Sequence, residues 1–85
     1  MNWTDPHAAR QVLARNVRRL RAARGMTQEQ LGERTDLRQA HISEIESGGS
    51  NLTLDKLQSV AIALGVRPMD LLNEKLKVGR ADNLT

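Results

Sequence analysis

Residues 38–44 include several side chains that are typical of contacts with the edges of DNA bases. Gln39, Ala40, Ser43 and Glu44 recur at the spacing of one helix face, and Arg38 precedes them. Glutamine can bond an adenine edge twice, arginine can do the same with guanine, and a carboxylate can accept a hydrogen bond from cytosine. An ordinary solvent-exposed helix often carries the same residue types, so the surrounding segments must decide between these interpretations.

The opposite side of this segment is apolar, because Ile42 and Ile45 can hold it against a core. The helix predicted over residues 38–46 is about 14 Å long, and its outer side chains are short. Ser47 extends the polar face by one turn. A DNA major groove, about 12 Å wide, admits a helix of this shape.

Two helices are predicted before this segment. The first begins near Thr4 or Asp5 and ends at Gly25, a typical C-terminal glycine. Its apolar stripe consists of Leu13, Val17 and Leu20. The second opens with a capping box formed by Thr27 and Gln30. It is too short to be stable alone, so it must be docked on its neighbours. A tight turn over residues 35–37 follows.

Two helices are predicted after the segment. Thr53 caps the fourth helix, and Gly65 closes it. Its apolar stripe consists of Leu54, Leu57, Val60, Ala61 and Leu64. Pro68 opens a fifth helix that includes Leu71 and Leu72 and extends toward Leu76. The order of elements predicts an all-α fold, a compact five-helix bundle, with one domain over residues 1–76 and a flexible tail over residues 77–85.

The charge and composition of the chain limit the kinds of molecule that it is expected to bind. The net charge is +3, and residues 10–38 alone hold eight arginines against three acids. This block fits either a polyanionic partner or a solvated helix face. Cysteine is absent, which excludes disulfides and thiolate metal sites. Neither a membrane-spanning run nor a signal peptide is present, so we expect a soluble, cytoplasmic protein that does not bind a membrane.

The spacing within residues 28–47 is that of a helix-turn-helix motif. Gly32 takes the fifth position, Asp36 the ninth, and Ile42 and Ile45 the fifteenth and eighteenth. With the flanking segments NVRRLRAARGMTQEQLG, HISEIESG and NLTLDKLQSVAIALGV, the chain resembles the Cro/CI-like (XRE) helix-turn-helix proteins. This family includes lambdoid phage repressors and the controller proteins of restriction–modification systems, and the resemblance covers roughly residues 13–72.

The resemblance implies a role for each matched residue. Base reading falls to Arg38, Gln39, Ala40, Ser43 and Glu44. Phosphate contacts fall to Thr27 and Gln28, which open the second helix, and to Ser47, Gly49, Ser50 and Asn51 in the loop after the third. Arg21 and Glu46 match a partly buried ion pair of the family, and we interpret them as structural. Arg15, Arg18 and Arg19 are expected to add to the positive field rather than to contact DNA directly, whereas Arg24 packs its stem near the end of the first helix.

The chain departs from the family pattern at four positions. Asp36 stands where glycine is frequent, which strains the turn. Gly32 replaces a more usual alanine, at an expected cost of about 1 kcal/mol in helix propensity. Arg67 stands where a capping serine or aspartate is expected. Glu44 is unfavourable near phosphates unless it accepts a hydrogen bond from cytosine or pairs with Arg38 or Gln39.

The chain is expected to work as a homodimer, because one recognition helix reads too few base pairs to be selective. Met69, Leu72 and Leu76 are predicted to form the dimer interface, although they could instead complete the monomer core. The expected partner is a palindromic DNA operator with half-sites about one turn apart. No cofactor, small-molecule ligand or metal is implied, and His41 and Glu44 alone cannot complete a metal site or a catalytic centre. The alternative is an antitoxin that binds a toxin protein and represses its own operon.

Overall fold

The computed structural model describes residues 2–79, which fold into five helices. They are α1 (Ala8–Ala23), α2 (Gln28–Thr35), α3 (Gln39–Glu46), α4 (Leu54–Leu64) and α5 (Pro68–Leu71). No strand occurs among these residues. The predicted all-α, five-helix architecture is therefore confirmed.

One apolar core joins all five helices. Its fully buried side chains include Val17, Leu20, Leu31, Ile42, Ile45, Val60 and Leu71. Leu54 is different: it was predicted to continue the stripe of α4, yet it is 82% exposed. Leu54 is the first residue of α4, and its side chain lies at the edge of the core rather than inside it. The prediction that it belongs to the buried stripe was wrong.

The N-terminus of α1 lies later than predicted. The helix starts at Ala8 rather than near Thr4 or Asp5, because residues 2–7 form their own turns. Asn2 Oδ1 accepts hydrogen bonds from both the N–H and the hydroxyl of Thr4, at 3.0 and 2.6 Å. Asp5 Oδ1 accepts from the N–H of His7 at 2.8 Å. These local bonds compete with the first helical turn.

The predicted caps of α2 and α4 are confirmed. Thr27 Oγ1 accepts from the N–H of Gln30 at 3.0 Å, and Gln30 Oε1 accepts from the N–H of Thr27 at 2.9 Å. Thr53 Oγ1 accepts from the N–H of Lys56 at 3.2 Å. Gly65 follows α4 with a left-handed φ of 74°, which ends that helix as predicted.

Helix α5 begins as predicted at Pro68 but is only four residues long. The N–H of Arg67 donates to Asp70 Oδ2 at 2.9 Å, so the carboxylate three residues later satisfies the N–H of the N-cap residue, as the acid of a capping box does. That bond, with the nearby Arg67 guanidinium, holds the pKa of Asp70 below its ordinary value.

Leu76 does not lie on α5, which corrects the predicted helical spacing of Met69, Leu72 and Leu76. A turn at Asn73 intervenes, and Asn73 Oδ1 accepts from the N–H of Lys75 at 3.0 Å. Leu76 and Val78 then pack against the core, so the folded part extends past residue 76. The rest of the predicted flexible tail, residues 80–85, lies outside the described residues.

Helix α1 and its C-cap residue, Arg24, bind backbone carbonyls at the ends of three other helices. Arg18 donates to the carbonyl of Glu46 at the end of α3, and Arg24 Nε donates to that of Leu64 at the end of α4, at 2.8 Å. Asn16 Nδ2 donates to Leu71 O at 3.0 Å, at the end of α5. The arginine-rich helix thus neutralises C-terminal helix ends inside the molecule.

Candidate nucleic-acid interface

The two faces of α3 have opposite environments. Ile42 and Ile45 are 0% and 1% exposed and anchor the helix to the core. The residues predicted to read bases are all exposed: Arg38, which is the N-cap, and Gln39, Ala40, Ser43 and Glu44. The structure therefore brings these five side chains together on one solvent-facing surface.

The turn between α2 and α3 depends on the absence of a side chain at Gly32. A Cβ atom at this position would lie 2.6 Å from the carbonyl oxygen of Leu37, a backbone atom. The N–H of Leu37 donates to the carbonyl of Gly32 at 3.1 Å, which locks the turn against α2. The glycine was expected to cost stability, but the close approach of the two helices requires it. Asp36 has a left-handed φ of 57°, the only non-glycine residue with positive φ in residues 2–79.

A polar network fixes the C-terminal end of α3 to the other helices. Arg21 Nε donates to Glu46 Oε2 at 2.5 Å and Arg21 Nη2 donates to Glu46 Oε1 at 2.9 Å, forming a two-pronged ion pair. Glu46 is 5% exposed, and its hydrogen bond raises the pKa of Arg21 above the ordinary value. Gln28 Nε2 donates to the same carboxylate at 3.2 Å. The start of α2 is therefore linked to the end of α3.

The loop after α3 contains both exposed and buried positions. Ser47, Gly49 and Asn51 are exposed, and the N–H of Gly49 donates to the carbonyl of Glu44 at 3.0 Å. Ser50 was expected to contact phosphate, yet it is only 5% exposed. Its Oγ lies 3.2 Å from Nε2 of His41, a hydrogen bond that ties the loop to α3. A buried hydroxyl with this partner is placed to support the loop rather than to meet DNA.

A groove of about 370 Å³ runs along one flank of α3. It is lined by Asp36, Leu37, Arg38, Ala40, His41, Glu44 and Lys56. Sequence reasoning missed Lys56, which lies in the first turn of α4 and shares this groove with three residues of the exposed face, Arg38, Ala40 and Glu44. In the sequence this residue is marked only by its position, as an isolated lysine three residues after Thr53, which caps α4.

Other kinds of site find no support in the described residues. Residues 2–79 contain no group of three or more histidine or acidic side chains that could hold a metal ion. None of the helices over this range has the length and apolar character needed to cross a bilayer.

Sequence comparison relates the chain to known regulators. A family model described as helix-turn-helix matches residues 17–71. Control protein C.BamHI from Bacillus amyloliquefaciens is 40% identical over 65 residues, which are 75% of this chain and 80% of that protein. The uncharacterized HTH-type transcriptional regulator y4dJ from Sinorhizobium fredii is 36% identical over 63 residues, which are 74% and 82% of the two chains.

Comparison of structures gives the same kind of neighbour. The restriction–modification controller protein C.AhdI from Aeromonas hydrophila matches with a TM-score of 0.74 at 30% identity, covering 79% of this chain and 97% of that one. The clp gene regulator ClgR from Corynebacterium glutamicum matches with a TM-score of 0.74 at 33% identity, covering 78% and 85%. The similarity thus extends over most of the described helices.

Proposed function

Because the chain belongs to the XRE-type helix-turn-helix family of DNA-binding transcriptional regulators, we propose that it binds a palindromic operator as a homodimer. In this proposal α3 enters the major groove of each half-site. The observation that carries it is the division of α3 between Ile42 and Ile45, which are buried, and an outer face of short, exposed side chains.

Base reading is proposed for Arg38, Gln39, Ala40, Ser43 and Glu44. Glu44 has the sharpest consequence, because its carboxylate makes no hydrogen bond or ion pair with Arg38 or Gln39. The two pairings that would neutralise it within α3 are therefore not formed. Acceptance of a hydrogen bond from the amino group of a cytosine then offsets the repulsion by phosphates. We expect a preference for cytosine at the base pair that faces Glu44.

Phosphate contacts are proposed at the two ends of the motif. Thr27 and Gln28 lie where α2 begins, and such an N-terminus favours an anion. Ser47, Gly49 and Asn51 supply exposed groups in the loop after α3. Ser50 acts indirectly in this proposal, by holding the loop through His41.

The dimer surface is proposed to centre on Met69 and Leu72, which are 62% and 38% exposed. Ile62 on α4 is also an exposed apolar residue, at 68%, and could extend the surface. Leu76 packs partly against the core, which leaves it a smaller role than the sequence suggested. The relatives named as a control protein and a restriction–modification controller favour a controller over the antitoxin alternative.

Selection of bound fragments from random duplex DNA tests this proposal. We expect a two-fold symmetric consensus, with affinity that falls steeply as salt rises. Gln39→Ala should relax the preference at one base pair of each half-site, by about 1–3 kcal/mol. Gln28→Ala should weaken every sequence alike. Failure to enrich any sequence above random duplexes would reject the proposed function.

A further inference from the structure

We propose that Lys56 contacts the phosphate backbone of the operator on the flank of α3, a role that neither its sequence position nor the family motif assigned. The proposal rests on the proposed function, because it requires α3 to lie in the major groove. It adds a second helix, α4, to the DNA-binding surface.

The placement of Lys56 supports this role. Lys56 lines the same groove as Ala40 and Glu44, which belong to the exposed face of α3. Lys56 is itself exposed, and within residues 2–79 it takes part in no ion pair. A cation on a flexible four-carbon stem is therefore free to reach a ligand that approaches this face.

The dimensions of the major groove determine what that ligand is. A helix with its side chains is about 10–12 Å across, close to the groove width of about 12 Å. A residue that flanks the inserted helix therefore meets the sugar–phosphate strand at the edge of the groove, not a base. Gln28 lies near the C-terminal end of α3, through its bond to Glu46. Neither Gln28 nor Glu46 lines the groove that Lys56 borders, so the two contacts would hold α3 at separate points.

The charges around the groove leave one competing role. The other ionisable residues that line the groove are two acids, Asp36 and Glu44, and two basic residues, Arg38 and His41. Acidic and basic side chains therefore lie close together there. Lys56 could therefore serve only to neutralise Glu44 as α3 approaches DNA. The phosphate contact is favoured because no ion pair joins the two side chains in the free protein.

The experiment measures operator affinity against salt for the full chain and for Lys56→Gln. Each subunit of the proposed dimer loses one phosphate contact, so the slope of log K against log salt falls in magnitude by about 1.8 and binding weakens about thirtyfold at 0.15 M salt. The loss should be equal for the operator and for unrelated duplexes. Lys75→Gln removes the same charge from a lysine outside the groove, and it should leave the slope within error of the wild type.

The Glu44→Gln variant distinguishes a phosphate contact of Lys56 from mere neutralisation of Glu44. If Lys56 contacts phosphate, Lys56→Gln weakens binding equally in the wild-type and Glu44→Gln backgrounds. An effect that disappears in the Glu44→Gln background, or an unchanged slope, overturns the proposal. Helical content and melting temperature of each variant should match the wild type, because Lys56 is exposed. Absence of DNA binding by the wild-type chain would instead count against the proposed function itself.

Discussion

Gly32 lies beneath the turn that joins α2 to α3, and its missing Cβ allows the two helices to approach. An added Cβ would be 2.6 Å from the carbonyl oxygen of Leu37. A backbone carbonyl cannot rotate away as a side chain can, so relief of this contact requires a shift of the turn. The face of α3 that is proposed to read bases would move with it, because Arg38 and Gln39 follow directly.

We therefore expect Gly32→Ala to destabilise the fold although alanine is the better helix former. The helix-propensity gain is about 1 kcal/mol, and overpacking costs about 1–3 kcal/mol. Thermal unfolding followed by circular dichroism should show a net loss. Gly49→Ala is the matched control, because its added Cβ meets atoms no closer than 3.6 Å. A Gly32→Ala melting temperature equal to or above the wild type would show that the turn is not tight.

Individual residues show where sequence reasoning about the candidate site stops. Residue type and spacing identified the exposed positions of α3, since a helix fixes which side chains share a face. The same reasoning could not find that Ser50 is buried and bonded to His41, nor that Lys56 borders the groove. Both facts depend on how a loop and a second helix pack beside α3, which no local pattern encodes.

Helix α3 is held at its C-terminal end by charge rather than by apolar contact alone. Glu46 is buried and receives two hydrogen bonds from Arg21, while its backbone carbonyl receives one from Arg18. A carboxylate at this depth is tolerated because its partner is always protonated. This pair connects α1 to α3 directly.

We expect Arg21→Met to lower the free energy of unfolding by about 3 kcal/mol, since it strands the buried charge of Glu46. The double variant Arg21→Met/Glu46→Leu should recover much of that loss, because two apolar groups need no compensation. Urea denaturation of the two single variants and the double variant gives the coupling. Additive losses in the double variant would contradict a direct interaction between the two side chains.

A buried amide from α1 binds the end of α5. Asn16 is fully buried, and its Nδ2 donates to the carbonyls of Leu71 and Asn73 at 3.0 and 2.9 Å. A four-residue helix cannot hold its own C-terminus, because too few internal bonds oppose fraying. The amide therefore stabilises the segment that carries the proposed dimer surface.

We expect Asn16→Leu to cost about 2 kcal/mol, because it leaves buried carbonyls without a donor at nearly constant volume. Hydrogen exchange should become faster in the segment after α5, at Lys75 and Leu76, than in α2. Gln11→Leu, an exposed position on the same helix, is the control and should change neither quantity. If hydrogen exchange became faster to the same degree along the whole chain, the variant would have destabilised the entire fold rather than the segment after α5.

Helix boundaries were predictable where the signal was local. Thr27 and Thr53 capped their helices as the sequence indicated, because a cap needs only residues within one turn. The start of α1 and the end of α5 were not predictable in this way. The first depends on competing turns in residues 2–7, and the second depends on Asn16, 55 residues away from Leu71.

At the scale of the whole molecule, the fold followed from periodicity and from the order of the motifs. The apolar stripes of the first and fourth helices, the two isoleucines of the third and a helix-turn-helix spacing suffice for a five-helix bundle, since each apolar face has only its neighbours to pack against. The structural role of the arginines could not be predicted from these patterns. Arg15, Arg18, Arg19 and Arg24 donate to backbone carbonyls of this chain, so much of the positive block is structural.

A charge placed in the proposed dimer surface should separate the subunits. We expect Met69→Asp to shift the protein to a monomer in sedimentation experiments, because a buried unpaired carboxylate is costly. Met69 is 62% exposed, so the monomer fold should survive. Trp3→Asp changes another exposed apolar residue, before α1, and should leave the dimer intact. A dimer that persists in Met69→Asp would move the interface to another surface.

The spacing of operator half-sites connects the dimer to DNA recognition. Two recognition helices fixed by a two-fold axis require half-sites about 10 base pairs apart, centre to centre. An insertion of 5 base pairs turns one half-site to the opposite side of the duplex, and the second contact is then lost. We expect the wild-type chain to lose at least 100-fold in affinity, within the range of about 10²–10⁴ gained by linking two sites. Met69→Asp should bind both operators equally and weakly. Spacing dependence that survives in Met69→Asp would show that the two recognition helices are held together through contacts other than Met69.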